Sequence, residues 1–290
     1  MIGIFDSGSG GLTFLAAMKR RFPEWSYLYY ADYKHCPFGE KTPEEIQWFT
    51  IAGVQKLFDA GATLVILACN TASAWTLRKM QTEIFPDKKI LWVTIPGAEK
   101  VVELGIKNVT VFATEQTVKS RTYAERVRIL DNDTIVDEIA LSGDLVRAIE
   151  DLLPVQRCHS ENDFLQLFSL YTTDGWLCHG QEWTDLVQQY FWCIQLCHTD
   201  NSCSSISDAC LSRERPIILS TSSDNTKHNP QGIILGCTHY SYIKKPLERL
   251  FPQSIFIDPS EESAEKLGAY LSHHHEYLSK IDKTGLIKFL

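Results

Sequence analysis

Nowhere in this 290-residue sequence does an apolar run approach the ~20 residues that span a bilayer, so a membrane class is set aside. There is no long basic patch, and the formal net charge of -8 argues against a phosphate-backbone partner, so no nucleic acid is expected. No Walker pattern is present, and the early glycines miss the dinucleotide fingerprint G-x-G-x-x-G because position 13 is Thr. The amino terminus enters a strand at once and meets Asp6, which leaves no room for the charged and apolar regions of a signal peptide. A cytoplasmic protein is expected. Its nine cysteines are an odd count, so in a reducing compartment they are expected as thiols rather than a disulfide framework. What remains is an ordinary globular composition, 44% hydrophobic and 22% charged, on a chain long enough for two domains.

The stretch that organises the chain is LVILACNTAS, residues 64 to 73. Four apolar residues read as a strand buried on both faces, which delivers Cys69, Asn70 and Thr71 to its carboxyl end. In open α/β sheets ligands bind there, because the following helix turns its free backbone N–H groups towards the same crevice. Alone, the stretch reads more readily as a buried structural cysteine before an Asn/Thr helix cap. A second copy shifts the balance: GIILGCTHYS, residues 232 to 241, runs from an apolar strand into Cys237, Thr238 and His239. A second matched pair, IGIFDSGSGG from Ile2 and VTVFATEQT from Val109, leads into Asp6 and Ser7 in one copy and Thr114 in the other. The chain therefore reads as two related α/β halves facing each other, the second much the longer, its excess lying between Thr114 and Gly232.

Along the chain, strands alternate with helices in short units. A helix is expected from about Leu12 to Arg21, then a strand at Tyr27 to Tyr30 and a loop holding Pro37, Phe38 and Gly39. The turn at Gly8 to Gly11 offers backbone donors suited to a carboxylate. Thr42, Pro43, Glu44 and Glu45 have the cap, first-position proline and acidic first turn of a helix that reaches about Ala60. A helix from about Thr71 to Ile84 and a strand from Ile90 to Thr94 follow. Pro96 and Gly97 mark the crossing into the second half, which continues with helices at Ala98 to Glu103, Lys119 to Leu130 and Leu145 to Leu152, and a strand at Ile135 to Ala140. The expected fold class is α/β, with two pseudosymmetric doubly wound parallel-sheet domains facing each other and an insertion in the second. The expected boundaries are 1–95 plus 258–290 for the first domain and 96–257 for the second, with the insertion at about 155–228.

The insertion holds six cysteines, Cys158, Cys178, Cys193, Cys197, Cys203 and Cys210, and a helix is expected within Trp183 to Leu196. The cysteine spacings fit no common finger, ribbon or C-x2-C pair, so a surface excursion is expected here rather than a metal site. His273 to His275 reads as a solvated helix face.

If the halves pack about a pseudo-twofold axis, Cys69 and Cys237 approach one ligand from opposite sides. Two opposed thiols around one carbon suit a two-base proton transfer that inverts configuration: one takes the proton as thiolate, the other returns one to the opposite face. A free thiol ionises near pH ~8.5, so the accepting cysteine needs a nearby acid/base group or helix amino terminus. Asp6 beside Cys69, and His239 or Glu150 beside Cys237, are the candidates.

FDSGSGGLT, PFG at 37 to 39, ACNTAS, ATEQTV and LGCTHY together resemble the signatures of glutamate racemase, in the aspartate/glutamate racemase superfamily. The resemblance covers residues 1 to 151 and 229 to about 270. It implies cofactor-independent interconversion of L- and D-glutamate, with D-glutamate going to bacterial peptidoglycan, and a homodimer. It implies Cys69 and Cys237 as the proton-transfer pair, with Asp6, His239 and Glu150 as acid/base partners and no metal. Asp6, Ser7, Phe38, Gly39, Asn70, Thr71, Thr114, Thr238 and His239 match its substrate-contacting positions. Phe38 stands where the family usually has Tyr, and Ser241 where it usually has Pro. An aspartate or other amino-acid racemase, and a degenerate scaffold acting as a binding or regulatory protein, are the alternatives.

Overall fold

The computed structural model describes residues 1–153, 158–168, 171–172, 175–176, 182–188, 218–220 and 230–290. The chain runs β1 (Ile2–Asp6), α1 (Gly11–Arg21), β2 (Tyr27–Ala31), α2 (Pro43–Asp59), β3 (Leu64–Leu67), α3 (Asn70–Lys79), β4 (Ile90–Trp92) and α4 (Thr94–Glu103). The second half continues with β5 (Asn108–Thr114), α5 (Glu115–Ser120), α6 (Thr122–Leu130), β6 (Ile135–Leu141), α7 (Gly143–Leu152) and α8 (Glu161–Phe168). A hairpin of β7 (Tyr171–Thr172) and β8 (Gly175–Trp176), a helix α9 at 182–188, and β9 (Ile218–Ser220) come next. The end of the chain forms β10 (Gly232–Gly236), α10 (Lys244–Leu250), β11 (Ile255–Ile257), α11 (Pro259–His273), α12 (His275–Leu278) and β12 (Ile287–Phe289).

The strands assemble into two five-stranded sheets, ordered β12-β2-β1-β3-β4 and β11-β10-β5-β6-β9. Read from opposite edges the orders coincide: β1 answers to β5, β2 to β6, β3 to β10 and β4 to β11. The duplication seen in the sequence is thus a duplication of topology. Its extra chain enters after α7 and returns at β10, the place where α2 leads directly into β3 in the first half. The first sheet is parallel throughout, and β1 and β3 are buried along their whole length, as sheets covered on both faces require. The second departs from the expected parallel sheet at one edge, where β9 pairs antiparallel with β6. That strand comes from within the insertion, and an antiparallel neighbour needs no right-handed crossover helix.

Local chemistry explains most boundaries. Thr42 and Glu45 form a reciprocal capping box at the start of α2 with Pro43 in the first turn, as expected. Three expectations are corrected. The strand at Ile90 ends at Trp92, and α4 starts at Thr94, so Pro96 and Gly97 lie inside a helix. A proline is tolerated there because N–H groups of the first turn have no intrahelical acceptor. The helix expected at Lys119 to Leu130 is two, α5 and α6, broken where Arg121 takes a left-handed φ of 58°. The helix expected to reach Ile84 is regular only to Lys79 and then widens into a π-turn over Met80–Ile84.

The insertion's first part docks on the first sheet. Tyr33 Oη receives the Cys158 backbone N–H at 3.1 Å, and the Phe164 ring lies 6.4 Å from that of Phe289 on edge strand β12. Of the expected helix at Trp183 to Leu196, residues 183–188 fall in α9 and the rest lies outside the described residues, as do Cys178, Cys193, Cys197, Cys203 and Cys210. His273 and His275 are exposed, whereas His274 stacks on Tyr270 at 3.9 Å.

Arg121 earns its strained position by pairing with Glu138 on β6, Nη1 to Oε2 at 2.7 Å, where the carboxylate is wholly buried. Burial dominates and the nearby guanidinium offsets it only in part, so the carboxyl is pushed up from 4.5 to about 7. The native state therefore holds this proton more tightly than the unfolded chain. The stability it contributes is complete below about pH 4.5 and is lost as the pH rises through 7. Urea denaturation at pH 5 and pH 8 should show the wild type losing on the order of 3 kcal/mol more than Glu138→Gln across that interval. Equal losses would refute this account.

Candidate active site

Strand register brings the two cysteine motifs to one crevice. Phe5 is level with Leu67 on adjacent parallel strands, so Asp6 and Ser7 leave β1 beside Cys69 and Asn70. Ala113 is level with Gly236, so Thr114 leaves β5 beside Cys237, Thr238 and His239. Cys69 caps α3: its Sγ accepts the Ala72 backbone N–H at 3.4 Å and lies 3.5 Å from Ser7 Oγ. Cys237 has extended backbone and opens a 3-10 turn over Thr238–Ser241. Both cysteines are free thiols and buried, and Cys237 is near enough to oppose ionisation of Cys69.

Their electrostatic surroundings differ. Burial, with the Asp6 charge second, pushes the Cys69 thiol up to about 12, against the Ser7 and Ala72 donors that favour the thiolate. Asp6 is completely buried; it accepts Gly8 N–H at 2.9 Å and Thr238 Oγ1–H at 3.3 Å, and burial raises its carboxyl to about 6 although His239 and these donors oppose the rise. Across the crevice, His239 Nδ1 is 3.8 Å from Cys237 Sγ and Nε2 is 2.7 Å from Glu150 Oε1. Burial favours the neutral imidazole, but the bonds to Cys237 and Glu150 and their charges together hold it well above its ordinary value. Burial would likewise raise Glu150. The His239 contact, its charge, and the Ser9 N–H and Oγ–H donors, both at 2.8 Å, bring it below the ordinary carboxylate range instead. His239 is thus a protonated group against one thiol, held by a charged carboxylate behind it.

The glycine-rich turn does not present its donors outward as the sequence led us to expect. Gly8 N–H binds Asp6 and Ser9 N–H binds Glu150, so the turn holds two carboxylates of the protein itself. Tyr29 Oη and Tyr242 Oη donate to the Gly8 and Ser9 carbonyls, each at 2.9 Å, and fix the turn from behind.

A cluster of hydroxyls closes the other end. Thr71 Oγ1 lies 2.8 Å from Thr114 Oγ1 and 3.1 Å from Thr117 Oγ1. Thr117 was missed by sequence reasoning; its place one turn beyond Thr114 was the available signal. Gly39 packs on Thr114, where an added Cβ would come within 2.7 Å of the threonine Cβ. Asn70 is fixed by Tyr123 Oη, which donates to its Oδ1 at 2.6 Å. Phe38 is placed differently from the rest: its ring is 1% exposed and packs with Phe5 and Phe49, centroids 6.2 and 6.0 Å away. Cys36, two residues before it, was also not foreseen; its thiol stands beside Glu150 and His239.

No family model matches the chain. The chain is 33% identical over 287 residues to the glutamate racemase of Ruegeria pomeroyi, covering 94% of this chain and 86% of that protein. It is 32% identical over 293 residues to that of Jannaschia sp., covering 96% and 87%. Its fold is similar to a solved structure of the glutamate racemase of Francisella tularensis in complex with D-glutamate, with a TM-score of 0.71 at 24% identity over 99% of this chain and 86% of that one.

The closeness of the two halves is testable at Gly10, which has ordinary helical backbone, φ -58° and ψ -39°. An added Cβ would lie 2.2 Å from Thr238 Oγ1 and 2.6 Å from His239 Nδ1. Gly10→Ala is therefore expected to lower stability by about 1–3 kcal/mol in denaturant unfolding, through overpacking alone. An unchanged midpoint would mean that the halves meet less tightly.

Proposed function

This chain belongs to the glutamate racemase family, and on that premise we propose that it interconverts L- and D-glutamate by proton transfer between Cys69 and Cys237, without a cofactor. The observation that carries the reading is the pair of buried thiols at matching strand ends, each with its own acid/base neighbour. In one direction a Cys69 thiolate takes the α-proton, and the carbanion takes a proton from the Cys237 thiol on its opposite face. Cys69 ends as thiol and Cys237 as thiolate, the state that starts the reverse reaction. No net proton enters or leaves, so the only change is inversion at the α-carbon.

Each thiolate needs help to form. The protonated His239, backed by Glu150, stabilises a thiolate at Cys237 and can return a proton to it. For Cys69 the Ser7 hydroxyl and Ala72 N–H are the donors, and the Asp6 carboxylate is the base that can draw its proton away. The α-hydrogen of an amino acid is a very weak acid, so charge developing on the substrate carboxylate must meet fixed donors in a dry site. Ser7, Asn70, Thr71, Thr114 and Thr238, with the backbone at Gly39, are proposed to bind the substrate. Phe38 forms an apolar wall beside them, and Thr117 holds the hydroxyls of Thr71 and Thr114. We place the enzyme in the cytoplasm as a homodimer supplying D-glutamate for peptidoglycan. No helix among the described residues is long and apolar enough to cross a membrane.

Circular dichroism of L-glutamate and D-glutamate solutions, followed separately under reducing conditions, tests the reaction. With wild-type protein both signals should decay to zero; Cys69→Ser and Cys237→Ser should each slow the decay by at least about 10²-fold. No decay with a folded wild-type protein, or undiminished decay in either variant, would overturn the two-cysteine mechanism. Asp6 supplies a second test. With its carboxyl at about 6 in the free protein, kcat/KM should fall as the pH drops through that value and Asp6 takes up its proton. Asp6→Asn should lower kcat/KM by about 10²–10⁴ and erase this acid limb.

A further inference from the structure

Cys36 has no part in the proton transfer, yet it stands at the edge of the site with the wrong neighbours for a merely structural thiol. Cys36 Sγ, a Glu150 carboxylate oxygen and a His239 ring nitrogen all lie within 4.8 Å of one another. The three come from separate segments: the loop before Pro37 in the first half, the end of α7, and the turn after β10. Gly8 forms the floor between them. A Cβ added there would come within 2.8 Å of Cys36 Sγ, 2.8 Å of Glu150 Oε1 and 3.5 Å of His239 Cε1. The side chains thus converge over a backbone that carries no side chain of its own.

From this convergence we propose that Cys36, Glu150 and His239 form a binding site for a thiophilic divalent cation, with Zn²⁺ as the best match, and that metal bound there inhibits the enzyme reversibly. One sulfur, one imidazole nitrogen and one carboxylate oxygen form a donor set for zinc, whereas Mg²⁺ and Ca²⁺ take oxygen ligands. Zinc bonds of about 2.0–2.3 Å put tetrahedral donors roughly 3.3–3.8 Å apart, so the set needs adjustments of about 1 Å. Cys36 lies in a loop and can supply much of that movement. His239 would bind through Nε2, since Nδ1 faces Cys237. Cys36 and Glu150 are only half-buried, so an ion can arrive from solvent without parting the halves, and three protein ligands leave a fourth position for water.

The chemistry balances by proton release. The Cys36 thiol and the His239 Nε2–H each give up a proton to solvent, and the ion takes the vacated electron pairs while Glu150 turns from His239 to the metal. The Nδ1–H that still faces Cys237 then belongs to a metal-bound neutral imidazole, a far weaker acid than the imidazolium, so His239 no longer returns a proton readily to Cys237. The inhibitory consequence rests on the racemase reading; the binding does not, and the two are measured separately.

The experiment compares wild type with Cys36→Ala. Calorimetric titration of the reduced full chain with Zn²⁺ reads binding, and racemisation with and without Zn²⁺, followed by EDTA, reads inhibition. The wild type should bind one Zn²⁺ that Cys36→Ala binds at least about tenfold more weakly. The variant should keep its basal activity, resist zinc by the same factor, and the inhibited wild type should recover in EDTA. Equal zinc affinity in the two proteins, or equal inhibition, would overturn the proposal by assigning the metal to the reacting thiols or to the insertion's cysteines. A wild type that binds zinc through Cys36 but racemises nothing would instead count against the racemase reading. If Cys36→Ala does not fold, Co²⁺ is the probe. A thiolate-to-cobalt absorption band retained in the Cys69→Ser/Cys237→Ser double variant and lost in Cys36→Ser supports the site, and the reverse pattern sinks it.

Discussion

The Glu150 carboxylate is the point on which the two halves of the molecule close. It leaves α7 in the second half, accepts two hydrogen bonds from Ser9 in the first, and meets His239 Nε2 at 2.7 Å. Each contact alone would be unremarkable in water. In a buried crevice a carboxylate is stabilised only if donors and an opposite charge surround it, and here donors from one half and a cation from the other are both needed. The same group that makes the halves register therefore keeps His239 protonated against Cys237. Closure of the halves and the charge on His239 thus rest on the same carboxylate. Arg147 adds a second tie from the same helix by pairing with Glu40 of the loop that carries Phe38 and Gly39.

Topological symmetry does not extend to this chemistry. Strand for strand the sheets correspond, and each delivers a cysteine to the same crevice, but Asp6 has its counterpart in Ala113, which has no charge to offer. One thiol faces an acid from its neighbouring strand; the other relies on His239 two residues along its own turn and on Glu150 from a helix. A reaction that must run equally well from both enantiomers needs a base on each face, not an identical one. The duplicated scaffold supplies position, and separate substitutions supply the proton chemistry.

Much of this was legible in the sequence because it depends on strand period and on residues within a few positions of one another. The strand ends at Asp6, Cys69, Thr114 and Cys237, the Thr42 cap and the extra chain before Gly232 all follow from local patterns. What escaped was set by contacts distant in sequence. Arg121 breaks a helix that its neighbours would continue, where it pairs with Glu138 on a strand seventeen positions later. Pro96 read as a boundary because proline usually is one, yet its position in a first turn removes the penalty. Strand β9 extends the second sheet from a short apolar run, Ile217 to Leu219, which is easily passed over between charged and Ser/Asn-rich neighbours. Thr117 and Cys36 needed the assembled crevice before their neighbours could be seen.

Phe38 illustrates how a local departure from a motif is absorbed. Judged by sequence alone, exchange of Tyr for Phe removes a hydroxyl from a site that holds carboxylates. In the fold its ring turns into an aromatic group with Phe5 and Phe49, and the neighbouring Gly39 is the residue that meets Thr114. A phenolic oxygen on so deeply buried a ring would need a partner of its own, at a cost of about 1–3 kcal/mol if it had none. The phenylalanine thus favours the core beneath the loop, while Gly39 of the same loop packs on Thr114 and so helps to fix the mutual spacing of the Thr71, Thr114 and Thr117 hydroxyls.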